Sequence, residues 1–216
     1  VATGSSGHAE IFGNDVLVSL GSFTANTGNA DQQASTLMHE IGHNLGLDHG
    51  GDPTDPLNCK PNYLSIMSYA YQFNSFATGN PMDYSRSVLS PIVENHLDES
   101  SGLSASDPTT LKSVFRGADN QNHITGALSS ATNPIDWNSN GVTTDSSVTA
   151  NINNLGGPCP EDTLSNSIMY GYDDWANVSL NFRGASEFSD GAFTSFEAVN
   201  EQSGTASFDA SGPHGT

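Results

Sequence analysis

Basic residues are scarce in this chain: five lysines and arginines face 24 aspartates and glutamates, for a net charge of −19 at pH 7. Such a surface repels phosphate backbones and anionic headgroups, which argues against nucleic-acid and membrane partners. The surplus of carboxylates has two readings, solubility or calcium binding, and the two are compatible. Long apolar runs are also missing, and no stretch approaches the roughly 18 residues that a membrane helix needs. Residues 1–20 lack the basic-then-apolar pattern of an export signal, so such a signal is expected upstream or not at all. Apolar residues make up only 35 % of the chain, below the roughly 45–50 % of an ordinary globular domain. Gly, Ser, Asn and Thr fill the difference, and a loop-rich protein is expected rather than a helical bundle. Its 216 residues suffice for one sizeable core, or one core with an appendage. Cysteine is nearly absent. Cys59 and Cys159 stand alone on a lysine-poor chain, and a single disulfide in an exported protein is expected, with two free thiols as the open alternative.

What the chain does contain is punctuated by glycine and proline. Asp15–Leu20 alternates apolar and polar residues and reads as a strand beside a turn at Gly13-Asn14. Residues 31–45 read as a helix with Asp31 as its N-cap and Leu37, Ile41 and Leu45 as an apolar stripe at i, i+4 and i+8. Gly46 follows where a helix commonly ends in the left-handed conformation. Loops rich in Pro, Asn and Gly run to about residue 85, and "VLSPIVENHLDESSGL" (88–103) reads as a second helix. Residues 105–183 are polar and short-stranded, and 184–216 read as a weakly ordered acidic tail.

The densest chemistry lies in "TLMHEIGHNLGLDHGGDP" (36–53), which places three of the seven histidines within eleven residues. His39 and His43, four apart on the expected helix, project from one face, a spacing that lets two neutral imidazoles reach one zinc at about 2.0–2.1 Å. Once Gly46 has turned the chain back, His49 is placed to supply a third ligand and leave a fourth position open, the mark of a catalytic rather than a structural site. Glu40, beside the first ligand, is placed to reach a zinc-activated water without ligating the metal. Composition alone yields H-E-x-x-H-x-x-G-x-x-H in on the order of 3 such chains in 100,000, so solvated histidines with no role are a poor account of it.

"HEIGHNLGLDH" resembles the zinc signature of the metzincin metallopeptidases. "YLSIMSYAYQF" (63–73) is similar to the methionine turn of that clan, which implies Met67 as an apolar floor beneath the three imidazoles. Tyr69 matches the S-I-M-x-Y form of astacins and serralysins, which implies a tyrosine that ligates zinc or stabilises the oxyanion. Asp52, three after His49, resembles a structural aspartate of several metzincins, and "HLDESSGL" (96–103) resembles the closing helix of matrixins. The broadest likeness, over about residues 4–183, is to large secreted bacterial metzincin-like proteins. It implies an α+β fold with a mixed sheet, a zinc-bearing helix and an irregular lower subdomain, in a domain spanning 1–183 with its core at 1–104 and an accessory segment at 105–183. It also implies an extended peptide substrate paired with the edge strand "HAEIFG" (8–13). Only 38 residues precede His39, so the upper subdomain is expected to be completed by a further N-terminal segment or by a partner chain.

A second motif is independent of the first. "DWNSNGVTTD" places oxygen side chains at Asp136, Asn138, Asn140 and Asp145, with Gly141 and the Val142 carbonyl between, in the opening phase of a calcium loop. Position 12 is Ser147 rather than glutamate, and ordinary turn chemistry is the competing account. The functional expectation is a secreted zinc endopeptidase with Glu40 as general base. The alternative is a non-catalytic binding or structural module that keeps the metal site within a larger assembly.

Overall fold

The computed structural model describes residues 5–73, 77, 79–104, 110–159 and 168–180; the expected tail at 184–216 lies outside the described residues. The architecture is α+β with few helices and two antiparallel two-stranded sheets. Among the described residues the strands, each three residues long, pair as two separate antiparallel sheets and not as the expected mixed sheet. No described helix is long and apolar enough to cross a membrane. The chain divides into two compact units, residues 1–48 with 177–216, and residues 49–176.

The first unit is a hairpin under a helix. Strands β1 (Gly7–Ala9) and β2 (Val16–Val18) pair antiparallel with His8 opposite Leu17, and helix α1 (Ala30–Asn44) packs on both strands. The strand expected over 8–13 is therefore cut short. Phe12 adopts φ 56°, and Glu10 accepts the backbone N–H of Gly13 at 3.3 Å and, through Oε2, that of Asn14 at 3.1 Å, so the turn begins at Glu10. The helix starts one residue earlier than expected. Its cap is Asn29, not Asp31: Asn29 Oδ1 accepts from Gln32 N and Gln32 Oε1 accepts from Asn29 N, both at 2.9 Å, a reciprocal capping box. Asp31 sits in the first turn, where it faces the positive end of the helix dipole.

The C-terminus of α1 follows the glycine rule in full. Gly46, at φ 91°, donates its N–H to the His43 carbonyl at 2.8 Å, and Leu47 donates to the Gly42 carbonyl at 2.9 Å. These two bonds define a Schellman cap. Which face of α1 is buried departs from expectation. Ser35, Thr36, His39, Glu40, Gly42 and His43 are buried, whereas Leu37 and Ile41 of the apolar stripe are 45 % and 40 % exposed.

The second unit holds the larger core, in which Leu89, Ile92, Leu97, Leu103, Phe115, Trp137, Ile152 and Met169 pack together. Strands β3 (Val114–Arg116) and β4 (Asn122–Ile124) form its hairpin. The helix expected over 88–103 is absent. That segment instead makes isolated pairings, Ile92 with Met169, Leu97 with Val148 and Gly102 with Asn133. Pro91 removes a donor and biases Ser90 away from helical angles, while Asp98 Oδ1 accepts the N–H of Ser100 at 2.9 Å and turns the chain. Its leucines and isoleucine nonetheless face inward. The single disulfide joins Cys59 to Cys159, with Cα atoms 5.8 Å apart, inside a second cluster with Tyr69, Tyr71, Val114 and Leu155. Such a bridge points to an oxidising environment.

Candidate metal centre

His39, Glu40 and His43 are carried by the last turns of α1, and all three are fully buried. The two rings meet edge to face with centroids 4.8 Å apart and their Nε2 atoms at 3.2 Å. Two ligands on one tetrahedral zinc, each at about 2.05 Å, stand about 3.3 Å apart, so the pair is already at ligand spacing. The tautomer follows from the helix cap. His43 Nδ1–H donates to the Leu47 carbonyl at 2.8 Å, which leaves Nε2 with its lone pair toward His39. The Schellman turn that ends the helix thus presents the carbonyl that orients the ligand.

His49 is 8 % exposed, and its ring lies 4.4 Å from that of Tyr69. One ligand atom from each of His39, His43 and His49 lies within 4.8 Å of the others, a group able to hold a metal ion. Three imidazoles at this spacing fit zinc as a borderline-soft ion, and the donor set contains no carboxylate that would favour a harder one.

The loop after His49 is pinned from below by a buried cation. Lys60 Nζ, fully inside, donates to the Gly50 carbonyl at 2.9 Å and to Asp55 Oδ2 at 2.6 Å. Burial lowers the Lys60 pKa, and the Asp55 carboxylate opposes that shift. Asp52 accepts the backbone N–H of Thr54 at 2.8 Å and its hydroxyl at 2.6 Å, and these bonds hold its carboxyl below the usual range. It closes a local turn on the surface of the same loop.

Glu40 depends on a glycine that the sequence reading passed over. A Cβ on Gly7 would stand 2.0 Å from Glu40 Oε1, so β1 runs against the Glu40 carboxylate only because residue 7 has no side chain. Gly46 is constrained twice, by its positive φ and by the Phe12 ring, 2.1 Å from where its Cβ would lie.

Met67 is fully buried in a tight turn closed by Ser68 N–H to the Ser65 carbonyl at 3.0 Å. The turn hangs on a carboxylate far along the chain. Asp174, buried at the start of helix α2 (Asp174–Asn177), accepts from Tyr63 OH at 2.8 Å, Ser65 Oγ at 2.5 Å and Ser85 N at 2.9 Å. Ser65 Oγ in turn accepts the Met67 N–H at 3.1 Å. Burial holds the Asp174 pKa above the usual carboxylate range, and the hydrogen bonds offset only part of that rise. Tyr69 follows in the same turn, its N–H given to Asn58 Oδ1 at 3.0 Å.

The residues of the expected calcium loop are drawn together by their own hydrogen bonds. Asp136 accepts the N–H groups of Asn140 (3.0 Å) and Gly141 (2.8 Å), and Asn140 Oδ1 accepts that of Val142 (2.9 Å). Asp145 Oδ2 accepts from the side-chain amides of Asn138 (2.9 Å) and Asn140 (2.8 Å). Among the described residues, the three histidines are the one group of three or more His, Cys, Asp or Glu side chains that converge on a point.

No family model matches the chain, and no curated protein or solved structure matches it significantly. The functional reading therefore stands on the site itself.

Proposed function

We propose that the chain is a zinc endopeptidase of metzincin type that works outside the reducing cytoplasm on peptides bound in extended form. One observation carries the reading: three buried imidazoles whose ligand atoms lie within 4.8 Å of one another, with Glu40 beside the first on the same helix. His39, His43 and His49 would hold the ion, which when bound supplies Lewis-acid activation of a water and of the scissile carbonyl. Glu40 takes a proton from the attacking water and passes it to the leaving amine. Its burial at 0 % exposure supports that role, because bulk solvent is kept from the carboxylate that moves the proton. Tyr69, packed on His49, offers a phenolic O–H to the developing oxyanion.

The test is Glu40→Gln on zinc-loaded protein, with casein hydrolysis and bound zinc measured together. Hydrolysis is expected to fall at least about 100-fold, within the range general-base loss produces, while zinc stays at the wild-type level. An equally active glutamine variant removes Glu40 from its role. A zinc-replete wild type that cleaves nothing favours the non-catalytic metal-binding module instead.

A further inference from the structure

The second unit contains a carboxylate that neither the zinc site nor the core explains. Glu99 is fully buried, yet its Oε2 has no hydrogen-bond partner, and among the described residues it has no cationic neighbour. Its Oε1 is 3.2 Å from the backbone N–H of Asn138, which it accepts, so the carboxyl group is turned onto the middle of the Asp136–Asp145 loop. The same residue is bound to the loop through its backbone, with Glu99 N–H donating to the Asp145 carbonyl and Ile135 N–H donating to the Glu99 carbonyl, each at 3.0 Å. A buried carboxylate left half-satisfied is costly unless a counter-charge completes it. Among the described residues no ion pair reaches Glu99, while Lys60 pairs with Asp55, Arg86 with Asp83, and Arg116 donates to Asn122.

We propose that Glu99 and the 136–145 loop form a calcium site, with Glu99, Asp136, Asn138, Asn140 and Asp145 as the ligand-bearing residues. Chemistry selects the ion. The donors are all oxygen, which suits a hard cation better than the borderline-soft ion expected at the histidines. Asn138 Oδ1 and Asn140 Oδ1 each accept one loop N–H and keep a second lone pair. Calcium takes six to eight oxygens at about 2.3–2.6 Å and accepts amide and carbonyl oxygens beside carboxylates, so it does not require three carboxylates to converge in advance. Position 12 of the loop is Ser147. Glu99 supplies, from 37 residues before Asp136, the buried carboxylate that the local sequence lacks.

The site is independent of the peptidase reading, and its test uses stability and binding rather than activity. Zinc-saturated protein is melted in calcium chloride, in magnesium chloride and without either, at equal ionic strength, and calcium is titrated by calorimetry. Calcium alone is expected to raise the midpoint, and Glu99→Gln to weaken calcium at least tenfold. Because a buried substitution can fail to fold, Asp145→Asn, at a half-buried loop position, is the second variant and is expected to weaken calcium by a similar factor. Terbium bound in the loop should also luminesce on excitation of Trp137, and Trp137→Phe should dim it. A midpoint indifferent to calcium, an equal response to magnesium, or wild-type calcium affinity in a folded Glu99→Gln or Asp145→Asn variant overturns the proposal.

Discussion

Gly7 and Glu40 are 33 residues apart in sequence, yet the carboxylate of one occupies the place where the other would carry a methyl group. A motif search finds Glu40 because the proposed proton transfer requires a carboxylate next to a metal-binding histidine. It passes over Gly7 because nothing local distinguishes that glycine from the chain's 21 others. The same limit applies to Asp174, which serves Ser65 from 109 residues away, and to Glu99. Each of these residues acts on a distant partner, and single-sequence patterns carry no record of distant partners. Gly7 yields a prediction at this scale. Gly7→Ala places a methyl 2.0 Å from Glu40 Oε1, and the flexible carboxylate rather than the strand will move. A displacement on the order of 1 Å in a catalytic group costs about 100-fold in rate. Hydrolysis by the variant should fall by about that factor with zinc content unchanged, and kcat/KM within twofold of wild type would show that Glu40 is not held by this contact.

Among the elements, α1 was the most legible and also the most misleading. Its existence, its end at Gly46 and the common face of His39 and His43 all follow from spacing and from the conformational freedom of glycine. Its buried face did not follow, because the usual rule places Leu37 and Ile41 inside, whereas the imidazoles and Glu40 occupy the interior. The helix orients its imidazoles and Glu40 inward and leaves an apolar stripe outside, a conflict between local pattern and tertiary placement of the kind expected where a site is built. The segment 88–103 erred in the opposite sense, with its apolar residues buried and its helix absent. Pro91 and the turn at Asp98 break the helix there. The cap of α1 is directly testable. A left-handed alanine costs roughly 1–2 kcal/mol before any clash, and the Phe12 ring adds one at 2.1 Å. Gly46→Ala should lower the thermal midpoint by several degrees and weaken zinc binding together, since the Leu47 carbonyl that orients His43 follows this residue. A variant that melts with the wild type and binds zinc equally would separate the cap from the metal centre.

For the molecule as a whole, composition carried more than the motifs. The low apolar content corresponds to strands of three residues and to a second unit held by isolated pairings, buried polar side chains and a disulfide rather than by a broad sheet. Closing a loop of 100 residues contributes about 4–5 kcal/mol in the chain-entropy model, a large share of the roughly 5–15 kcal/mol by which domains are stable. The negative charge makes the same point from the other side, since 24 carboxylates against five basic groups leave cations as the available counter-charge.

The central claim is that His39, His43 and His49 bind one zinc, and X-ray absorption of the zinc-loaded chain with parallel metal analysis tests it most directly. The account predicts one equivalent of zinc coordinated by three imidazole nitrogens at about 2.0–2.1 Å and one lighter open-position ligand, with the imidazole signal reduced in His49→Ala. Less than half an equivalent after loading, or zinc held without three imidazoles, would contradict it.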